Sequence, residues 1–439
     1  MSFSPQTLFA TLHELPQPSG YCVALSGGLD SSVLLHALGV LRERLSAPVT
    51  ALHIDHGIHP DSSRWGEDCA RLCAGLGIPL RQVVVALGCQ KADGLEGTAR
   101  KVRYQAFKEA LGEGELLLSA HHRDDQVETL LLQLLRGGGV HGMAGMPLLR
   151  PLGRGYLARP LLHTTRAELL EYAQAHGLHW IEDPSNTDTR LERNFLRHEL
   201  IPLLVQRRAG VGRVLARSAT HFAESAALLD ELAELDLARC RVDEGLAIGP
   251  LHQLSPARQR NLLRYFIRQY RLPLPDQRRL QAIQCDLLTA AADAMPLVCW
   301  PGAEVRRYRD VLYVMPPLPP VPASNWYQDW DGQGDLILPA GLGHYRLEPM
   351  PAGLRADCVQ GDGLQIRLRQ GGERIRLPGQ TQHHSLKKLL QQAAIPPWLR
   401  DRLPLLYIHG KLAQVAGLWT DAAFADGEGG YLLTRLKGQ

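Results

Sequence analysis

The sequence predicts an α/β fold: an N-terminal domain with a doubly wound, mostly parallel sheet, then a helical middle domain and a small α+β C-terminal domain. The 439 residues are about three times the length of a typical domain, so a single small module is excluded. Strand–loop–helix units recur early in the chain, and the later segment MPPLPPVP interrupts any helix. We therefore expect domains at residues 1–215, 216–340 and 350–439.

Four strand–helix units fill the first third of the chain. Each begins with a short apolar, β-tending run and continues, after a turn, into a segment with helical periodicity. Because parallel neighbours need crossover connections, four such units imply a parallel sheet with helices on both faces. Ligands of such sheets bind beyond the carboxyl ends of the strands. The strand and helix pairs are 21–25 with 33–45, 49–55 with 67–76, 80–87 with 96–111 and 115–120 with 124–135.

The rest of the chain is expected to be mainly helical before it becomes mixed. Residues 366–377 alternate apolar and basic side chains around two glycines, a pattern typical of a β-hairpin, and a helix is predicted at 385–392. The chain thus ends in a small mixed domain. Helical patterns before that point cover residues 166–176, 193–204, 211–237 and 258–270.

Charge, cysteine usage and hydropathy exclude several protein classes. Lys plus Arg number 48 against 45 Asp plus Glu, and the small basic excess lies in the second half of the chain. The eight cysteines include no C-x-x-C pair, which argues against a disulfide scaffold and a zinc ribbon. No secretory pattern or long apolar run is found. These features predict a soluble cytoplasmic protein without membrane association.

A glycine- and serine-rich loop is the strongest local signal. The string SGGLDSS follows the first predicted strand and opens a helix, where free backbone N–H groups and the helix dipole favour an anion. Two glycines allow close backbone approach, and serine hydroxyls add donors. The string predicts a phosphate-binding loop, with a capped glycine–serine turn as the structural alternative. Its residues are Ser26, Gly27, Gly28, Leu29, Asp30, Ser31 and Ser32.

Acidic residues begin the helix predicted at 124–135. In the string HHRDDQVET, Asp125 and Glu128 are three residues apart, so their carboxylates share a helical face and can converge on a cation. A primary amine or magnesium suits such a pair. Two alternatives stay open: an acidic first turn that only satisfies the helix dipole, and a metal site that includes His121 and His122.

Basic residues form two further groups. Arg193 and Arg197 are four apart on one helical face, suited to phosphate oxygens or to pairing with neighbouring glutamates. Residues 351–400 carry a basic excess that fits an RNA backbone, although charge alone also allows a plain exposed helix at Lys387 and Lys388. The candidate RNA contacts are Arg197, Arg374, Arg376, Lys387 and Lys388.

The loop SGGLDSS resembles the signature loop of the PP-loop ATP pyrophosphatase superfamily, whose Rossmann-like domain binds ATP and adenylates a carbonyl oxygen. Further strings resemble one family within it, the tRNA(Ile)-lysidine synthetases of the long bacterial type. These strings are EGTARKVRY, HHRDDQVET, EDPSN with RNFLR, and HHSLKKLL. The resemblance spans nearly the whole chain.

This resemblance implies a reaction and its ligands. The family joins lysine to C2 of the wobble cytidine in a minor isoleucine tRNA with a CAU anticodon, through an adenylated tRNA, and releases AMP and pyrophosphate. ATP, magnesium and free L-lysine are therefore the expected small ligands, and tRNA is the expected partner. A homodimer is compatible with this function.

The resemblance also assigns roles to individual residues. Asp30 is expected to hold magnesium together with the ATP phosphates. Asp125, Glu128 and His121 are expected to bind lysine, with the choice of general base between the two acids left open. The residues expected to be catalytic are Asp30, Arg100, Arg103, Asp125, Glu128 and Arg193.

Other activities of the superfamily fit the sequence less well. Glutamine-dependent members resemble each other in a glutaminase unit with a nucleophilic Cys, whereas position 2 is Ser2 and no such unit precedes the loop. Sulfur-inserting relatives depend on paired cysteines. Two alternatives remain: a PP-loop enzyme that acts on a small molecule, and a catalytically silent RNA-binding protein, against which the intact acidic residues argue.

Overall fold

The computed structural model divides into two compact units, Met1–Glu231 and Leu232–Gln439. The boundary falls within one long helix, Val211–Cys240. None of the helices among the described residues is long and apolar enough to cross a membrane. The structure describes residues 2–55, 57, 62–85, 94–183, 187–291, 294–323, 325–339, 341–359, 363–426 and 429–436.

Six strands form the sheet of the first unit. They are β1 (Tyr21–Ala24), β2 (Val49–Asp55), β3 (Leu80–Val84), β4 (Leu116–Leu118), β5 (Leu149–Leu152) and β6 (Gly155–Ala158). Their order is β3-β2-β1-β4-β6-β5, and every neighbouring pair is parallel except β5 with β6. The predicted N-terminal α/β domain with a mostly parallel sheet is confirmed.

Helices cover both faces of this sheet. Buried leucines of α1, α2 and α7 pack with the cysteines of α3 against one face, and Phe107 and Leu111 pack against the other with Leu117 and Leu157. The helices are α1 (Pro5–His13), α2 (Leu29–Leu41), α3 (Ser62–Leu76), α4 (Gly94–Ala110), α5 (Arg123–Leu135), α6 (Val140–Met143), α7 (Arg166–Ala175), α8 (Glu192–Phe195), α9 (Ile201–Arg207) and α10 (Val211–Cys240).

The hairpin β5–β6 was not expected from the sequence. Its first strand contains Pro151, which is tolerated there because β5 is an edge strand and needs no donor on its outer side. At the turn between the strands, Gly153 adopts φ +60°. The hairpin extends the sheet beyond β4, so the carboxyl edge gains Arg159 directly after β6.

An apolar contact fixes the acidic helix α5 in place. Val127 and Leu131 pack with Leu196, which lies in a π-helical turn, Leu196–Leu200, between α8 and α9. The carboxylate of Asp125 also accepts a hydrogen bond from the backbone N–H of His122 at 2.9 Å, which closes the first turn of α5. The acids of α5 and the arginines after residue 192 therefore face each other.

The second unit contains more β-structure than the sequence indicates. Its middle part was expected to be mostly helical, but it forms a five-stranded antiparallel sheet, β7-β8-β11-β10-β9, beside the helices. The sheet was missed because its strands are short and β7–β8 lie next to long helices. These elements are β7 (Arg241–Val242), β8 (Gly245–Ala247), α11 (Ile248–His252), α12 (Pro256–Gln269), α13 (Gln277–Ala282), β9 (Leu297–Trp300), β10 (Ala303–Tyr308) and β11 (Val311–Met315).

The C-terminal part contains two five-stranded sheets and a two-stranded one. Their orders are β12-β16-β19-β20-β21, β13-β14-β23-β15-β22 and β17-β18. The elements are β12 (Tyr327–Trp330), β13 (Leu336–Leu338), β14 (Gly343–Met350), β15 (Gly353–Leu354), α14 (Ala356–Val359), β16 (Leu364–Arg367), β17 (Arg374–Ile375), β18 (His384–Ser385), α15 (Leu386–Gln392), α16 (Pro397–Arg400), β19 (Leu405–Ile408), β20 (Lys411–Val415), β21 (Trp419–Thr420), β22 (Ala425–Asp426) and β23 (Gly430–Arg435).

The hairpin predicted at residues 366–377 is wrong. The strand β16 pairs with β12 and β19, whereas β17 pairs with β18, so the two alternating runs belong to different sheets. Between them, Gly371 and Gly372 adopt φ +96° and +86°, which lets the chain change direction without a hairpin. Alternation correctly indicated strands but not which strands pair.

Candidate active site

The glycine- and serine-rich loop connects β1 to α2 at the carboxyl edge of the sheet. Its hydroxyls are tied to the loop itself: Ser26 Oγ lies 3.0 Å from Ser31 Oγ, and Ser32 Oγ donates to the carbonyl of Gly27 at 3.3 Å. The cap residue Gly28 has no side chain with which to cap α2, so N–H groups of the first turn are left for an anion.

The two glycines of this loop have different reasons to be glycine. Gly27 has φ +84°, and a Cβ there would lie 2.5 Å from Ile181 Cδ1. Both the backbone conformation and the lack of space therefore exclude a larger residue. Gly28 has ordinary angles, and a Cβ there would meet nothing closer than 3.6 Å. A Cβ at Gly28 would therefore make only ordinary van der Waals contacts, so space alone does not require glycine at this position.

Asp30 connects this loop to the helix α5. Its Oδ2 lies 3.6 Å from Nε2 of His122, whose side chain is 2% exposed. The other oxygen, Oδ1, is buried and has no hydrogen-bond partner among the described residues. A buried carboxylate oxygen without a donor is costly, and a bound cation would satisfy it.

His122 lies among three carboxylates. In addition to Asp30, Nδ1 lies 3.6 Å from Asp124 Oδ2 and Nε2 lies 3.5 Å from Asp125 Oδ2. Burial disfavours the charged imidazole, but the hydrogen bond to Asp30 and the charges of Asp125 and Asp124 outweigh it and raise the pKa of His122. His122 therefore lies between the phosphate-binding loop and the acidic helix, within 3.6 Å of carboxylates on both.

The predicted acids and the predicted arginines form one ion-pair network. Glu128 is 1% exposed and accepts from Arg193 Nε at 2.7 Å and from Arg197 Nε at 2.6 Å. Asp125 accepts from the same two guanidiniums at 3.1 and 3.3 Å. The expected alternative, pairing with glutamates of their own helix, is not what these arginines do. They bind the acids of α5.

The network shifts the pKa values of Asp125 and Arg197 toward their charged forms. Burial opposes ionisation of Asp125, but the positive charges of His122 and Arg193 lower the pKa of its carboxyl. Burial likewise opposes the charge of Arg197, but the hydrogen bonds that its guanidinium donates to Glu128 raise the pKa of Arg197. The surroundings of Asp125 and Arg197 thus favour the charged form of each.

His121 differs from His122 although the two are adjacent. Burial, together with repulsion from Arg159, Arg193 and Arg100, lowers the pKa of His121 to about 4, against the attraction of Asp125. Its Nδ1 is hydrogen-bonded with the hydroxyl of Ser119. At neutral pH this imidazole is uncharged and can accept a hydrogen bond from an amine.

The remaining predicted residues differ in how exposed they are. Arg100 and Arg103 are exposed on α4. In the second unit, Arg374 on β17 and the two lysines of α15 are exposed, whereas Arg376 is half-buried and its backbone N–H donates to Asp421. Among the described residues, no group of three or more His, Cys, Asp or Glu could hold a metal ion, so the metal site with His121 and His122 gains no support.

Two contributors to the site were missed from the sequence. His122 was predicted only as a member of an alternative metal site, although its place between a strand and several acids could have indicated a contact with those acids. Arg159 was missed because its hairpin was not expected. It is 3% exposed, and its guanidinium donates to the carbonyl of Pro147 at 2.8 Å.

The parallel sheet and the loop at its carboxyl edge define the class of this protein as a PP-loop enzyme, which implies the use of ATP. Family models match three parts of the chain. The PP-loop domain matches residues 4–204, the TilS substrate binding domain 246–313 and the TilS substrate C-terminal domain 364–433.

Relatives match over nearly the full chain. The tRNA(Ile)-lysidine synthase of Alkalilimnicola ehrlichii is 43% identical over 99% of this chain and 98% of its own length, and that of Coxiella burnetii is 43% identical over 94% and 92%. The U34-tRNA thiolase NcsA of Methanococcus maripaludis aligns with 50% of this chain and 78% of its own, at 18% identity and a TM-score of 0.42. The chain belongs to the tRNA(Ile)-lysidine synthase family.

Proposed function

We propose that the protein uses ATP to join lysine to C2 of the wobble cytidine of the CAU-anticodon isoleucine tRNA, and that the residues around Asp30, His122 and Asp125 carry out both steps. The product, lysidine, changes codon reading from AUG to AUA and tRNA identity from methionine to isoleucine. The observation that carries this assignment of residues is the unbroken set of contacts from the phosphate-binding loop to the acids of α5.

In the first step, the C2 oxygen of cytidine attacks the α-phosphorus of ATP, and pyrophosphate leaves. The loop from Ser26 to Ser32 would hold the phosphates through the backbone N–H groups at the start of α2. Arg100, Arg103 and Arg193 would offset the negative charge that develops. This converts the C2 oxygen, a poor leaving group, into part of AMP, a good one.

Magnesium fits the buried, unsatisfied Oδ1 of Asp30. Asp30 would hold the ion together with the ATP phosphates, and the ion would neutralise phosphate charge. His122 Nε2, 3.6 Å from Asp30 Oδ2, would help to orient this carboxylate.

In the second step, the ε-amino group of lysine attacks C2 and AMP departs with the oxygen. Asp125 is the better placed of the two acids for direct contact, because its side chain is 11% exposed against 1% for Glu128. Glu128 then positions Arg193 and Arg197. The lysine ammonium must lose a proton before attack, since only the neutral amine is a nucleophile, and uncharged His121 offers an acceptor for one of its N–H groups.

Binding of tRNA is assigned to exposed basic side chains. Arg374, Lys387 and Lys388 are exposed in the second unit and suit RNA phosphates. Arg197 and Arg376 complete the proposed set, although Arg197 also donates to Glu128. We retain the division into a catalytic domain at 1–215, a middle domain at 216–340 and a tRNA-binding domain at 350–439.

The decisive experiment uses purified protein, ATP, magnesium, labelled lysine and isoleucine tRNA transcripts with CAU or GAU anticodons. We expect label in the CAU transcript only, with one pyrophosphate released per lysine joined. Pyrophosphate release that needs neither lysine nor RNA would instead favour a PP-loop enzyme acting on a small molecule. Sedimentation of the same protein tests the proposed homodimer, which would sediment at twice the chain mass.

A further inference from the structure

A second cluster of positive charge lies on the α4 face of the first unit's sheet. Two guanidiniums lie against the ring of Tyr104, with Arg150 Cζ 4.9 Å and Arg100 Cζ 5.3 Å from its centroid. The buried Arg159 is close enough to the Tyr104 hydroxyl to lower its pKa. Three cations thus surround one phenol. We call Tyr104, Arg150 and Arg159 the tyrosine–arginine cluster, with Arg100 at its border.

The alternation of side chains along β5 and β6 places Arg150 and Arg159 on the same face of the sheet. Arg150 is the cross-strand partner of Leu157, and Arg159 is two residues beyond Leu157, so all three lie on one face of the sheet. Leu157 packs on Phe107 of α4, the helix that carries Tyr104 one turn earlier. The cluster is therefore built on a helix and a hairpin that pack through a common core.

The cluster lacks a balancing negative charge in the part of the chain that the structure describes. None of the described carboxylates forms an ion pair with Arg100, Arg150 or Arg159. The Nε atoms of Arg150 and Arg159 are also buried without a hydrogen-bond partner among the described residues. Since a buried guanidinium N–H without an acceptor is unfavourable, an anion bound beside these Nε atoms would stabilise the cluster.

Electrostatic effects within the cluster agree with this imbalance. Burial, together with the charges of Arg150 and Arg100, lowers the pKa of Arg159. Burial alone would raise the pKa of Tyr104, but the three arginines outweigh it and lower that pKa. A lowered pKa of an arginine and a lowered pKa of a tyrosine are both expected in a site with excess positive charge.

The position of the cluster separates it from the ATP phosphates. The phosphate-binding loop follows β1, whereas Arg159 follows β6, two strands away across β4. At about 4.8 Å per strand, the separation is roughly 10 Å. The strand β4 lies between them, and the chain after β4 leads to His121. The charge of Arg159 contributes to the lowered pKa of His121. An anion at the cluster therefore belongs on the side of the second substrate.

We propose that the tyrosine–arginine cluster binds a backbone phosphate of the tRNA next to the target cytidine. A phosphodiester supplies two charged oxygens, which suit two guanidiniums and a phenolic hydroxyl. Such a contact would fix the position of the nucleotide relative to His121 and Asp125 without reading its base. This inference rests on the proposed function, since it requires tRNA as substrate.

The test compares charge changes at the two ends of one hairpin. Arg150→Gln removes a cation of the cluster, Arg150→Lys retains the charge, and Tyr104→Phe removes only the hydroxyl. Arg154→Gln is the matched control, because Arg154 is exposed in the turn at the opposite end of the same hairpin. For each full-length protein, the Kd for the CAU transcript is measured by filter binding at several KCl concentrations, and the Kd for ATP is measured without RNA.

We expect Arg150→Gln to weaken tRNA binding about tenfold and to reduce the slope of log K against log salt by about one. Arg150→Lys should restore the slope, Tyr104→Phe should weaken binding about threefold, and Arg154→Gln should change it less than twofold. The Kd for ATP should stay the same throughout. Unchanged tRNA binding in both Arg150→Gln and Tyr104→Phe would overturn the proposal, and so would weaker binding of ATP in place of tRNA.

Lysidine formation by the wild-type protein distinguishes this inference from the proposed function. If the wild type joins lysine to the CAU transcript but Arg150→Gln binds that transcript normally, the cluster assignment fails alone. If the wild type neither binds nor modifies the transcript, the proposed function fails first.

Discussion

The two groups of charged residues in this protein have opposite surroundings. At the carboxyl edge of the first unit's sheet, Asp125, Glu128, Arg193 and Arg197 lie within 2.6–3.3 Å of their partners, and the acids are buried. In the second unit, Arg374 and both lysines of α15, which we assign to RNA, are exposed, and Arg376 is half-buried. Buried pairs impose geometry, whereas exposed cations act through their summed field. In the proposed function, the first group carries out the chemistry and the second binds RNA.

Removing Glu128 should have the largest effect on stability. Glu128→Ala leaves two partly buried guanidiniums without their main acceptor, so we expect a loss of about 3–5 kcal/mol in the free energy of unfolding. Urea denaturation followed by circular dichroism measures it. The control is Glu192→Ala, because the Glu192–Arg136 pair has the same 2.6 Å distance but is exposed, and should cost about 0–1 kcal/mol. Equal losses of unfolding free energy in the two variants would show that the buried ion pairs of Glu128 stabilise the protein no more than the exposed pair of Glu192.

Removing Asp30 should stop the chemistry without affecting RNA binding. Asp30→Ala deletes the carboxylate that we assign to magnesium and the phosphates, so tRNA adenylation should fall by about 10²–10³ or more. Label transferred from α-labelled ATP to the CAU transcript measures the first step. The Kd for tRNA should stay within twofold of the wild type. Full adenylation by this variant would refute the assignment of the loop.

His121 should make the protein sensitive to acid. Its pKa is lowered to about 4 in the folded protein, whereas the unfolded chain takes up this proton near pH 6.5. The unfolded state therefore binds more protons between these values, and stability falls as the pH drops through that window, by about 3 kcal/mol in total. His121→Gln should remove this part of the pH dependence. Parallel unfolding curves at pH 4–8 for both proteins would contradict the shift.

The lysines of α15 should give the smallest effect. Replacing both Lys387 and Lys388 by Glu should weaken tRNA binding by about 1 kcal/mol per site at low salt, and the loss should fade as salt rises. Adenylation at saturating tRNA should stay unchanged. Lys411→Glu, an equal charge change at another exposed lysine of the second unit, serves as the control. If tRNA binding by the double variant has the wild-type salt dependence, Lys387 and Lys388 do not contact the tRNA.

The sequence was a good guide where local pattern determines structure. The predictions match, within a few residues, the strands that precede Ser26 and His121. They also match the helices α2 and α5, which carry Asp30 and Glu128. These elements depend on apolar runs and on caps that are close in sequence. The same locality explains why the carboxyl edge could be predicted as the site.

Long-range pairing could not be predicted in the same way. That Arg193 and Arg197 would bind the acids of α5 depends on the packing of Leu196 on Val127, which no spacing reveals. The hairpin that carries Arg159 contains Pro151, which a local rule counts against a strand. The predicted pairing within residues 366–377 failed because strand alternation does not identify a partner.

The most direct test of the division between chemistry and binding is single-turnover adenylation at saturating tRNA, measured side by side for Asp30→Ala and for the variant with Lys387→Glu and Lys388→Glu. We expect adenylation by the Asp30 variant to fall by about 10²–10³ or more. We expect the lysine variant to adenylate tRNA at the wild-type rate, because a higher tRNA concentration compensates for its weaker binding. A lysine variant that stays slow at saturation, or an Asp30 variant that adenylates normally, would contradict this division.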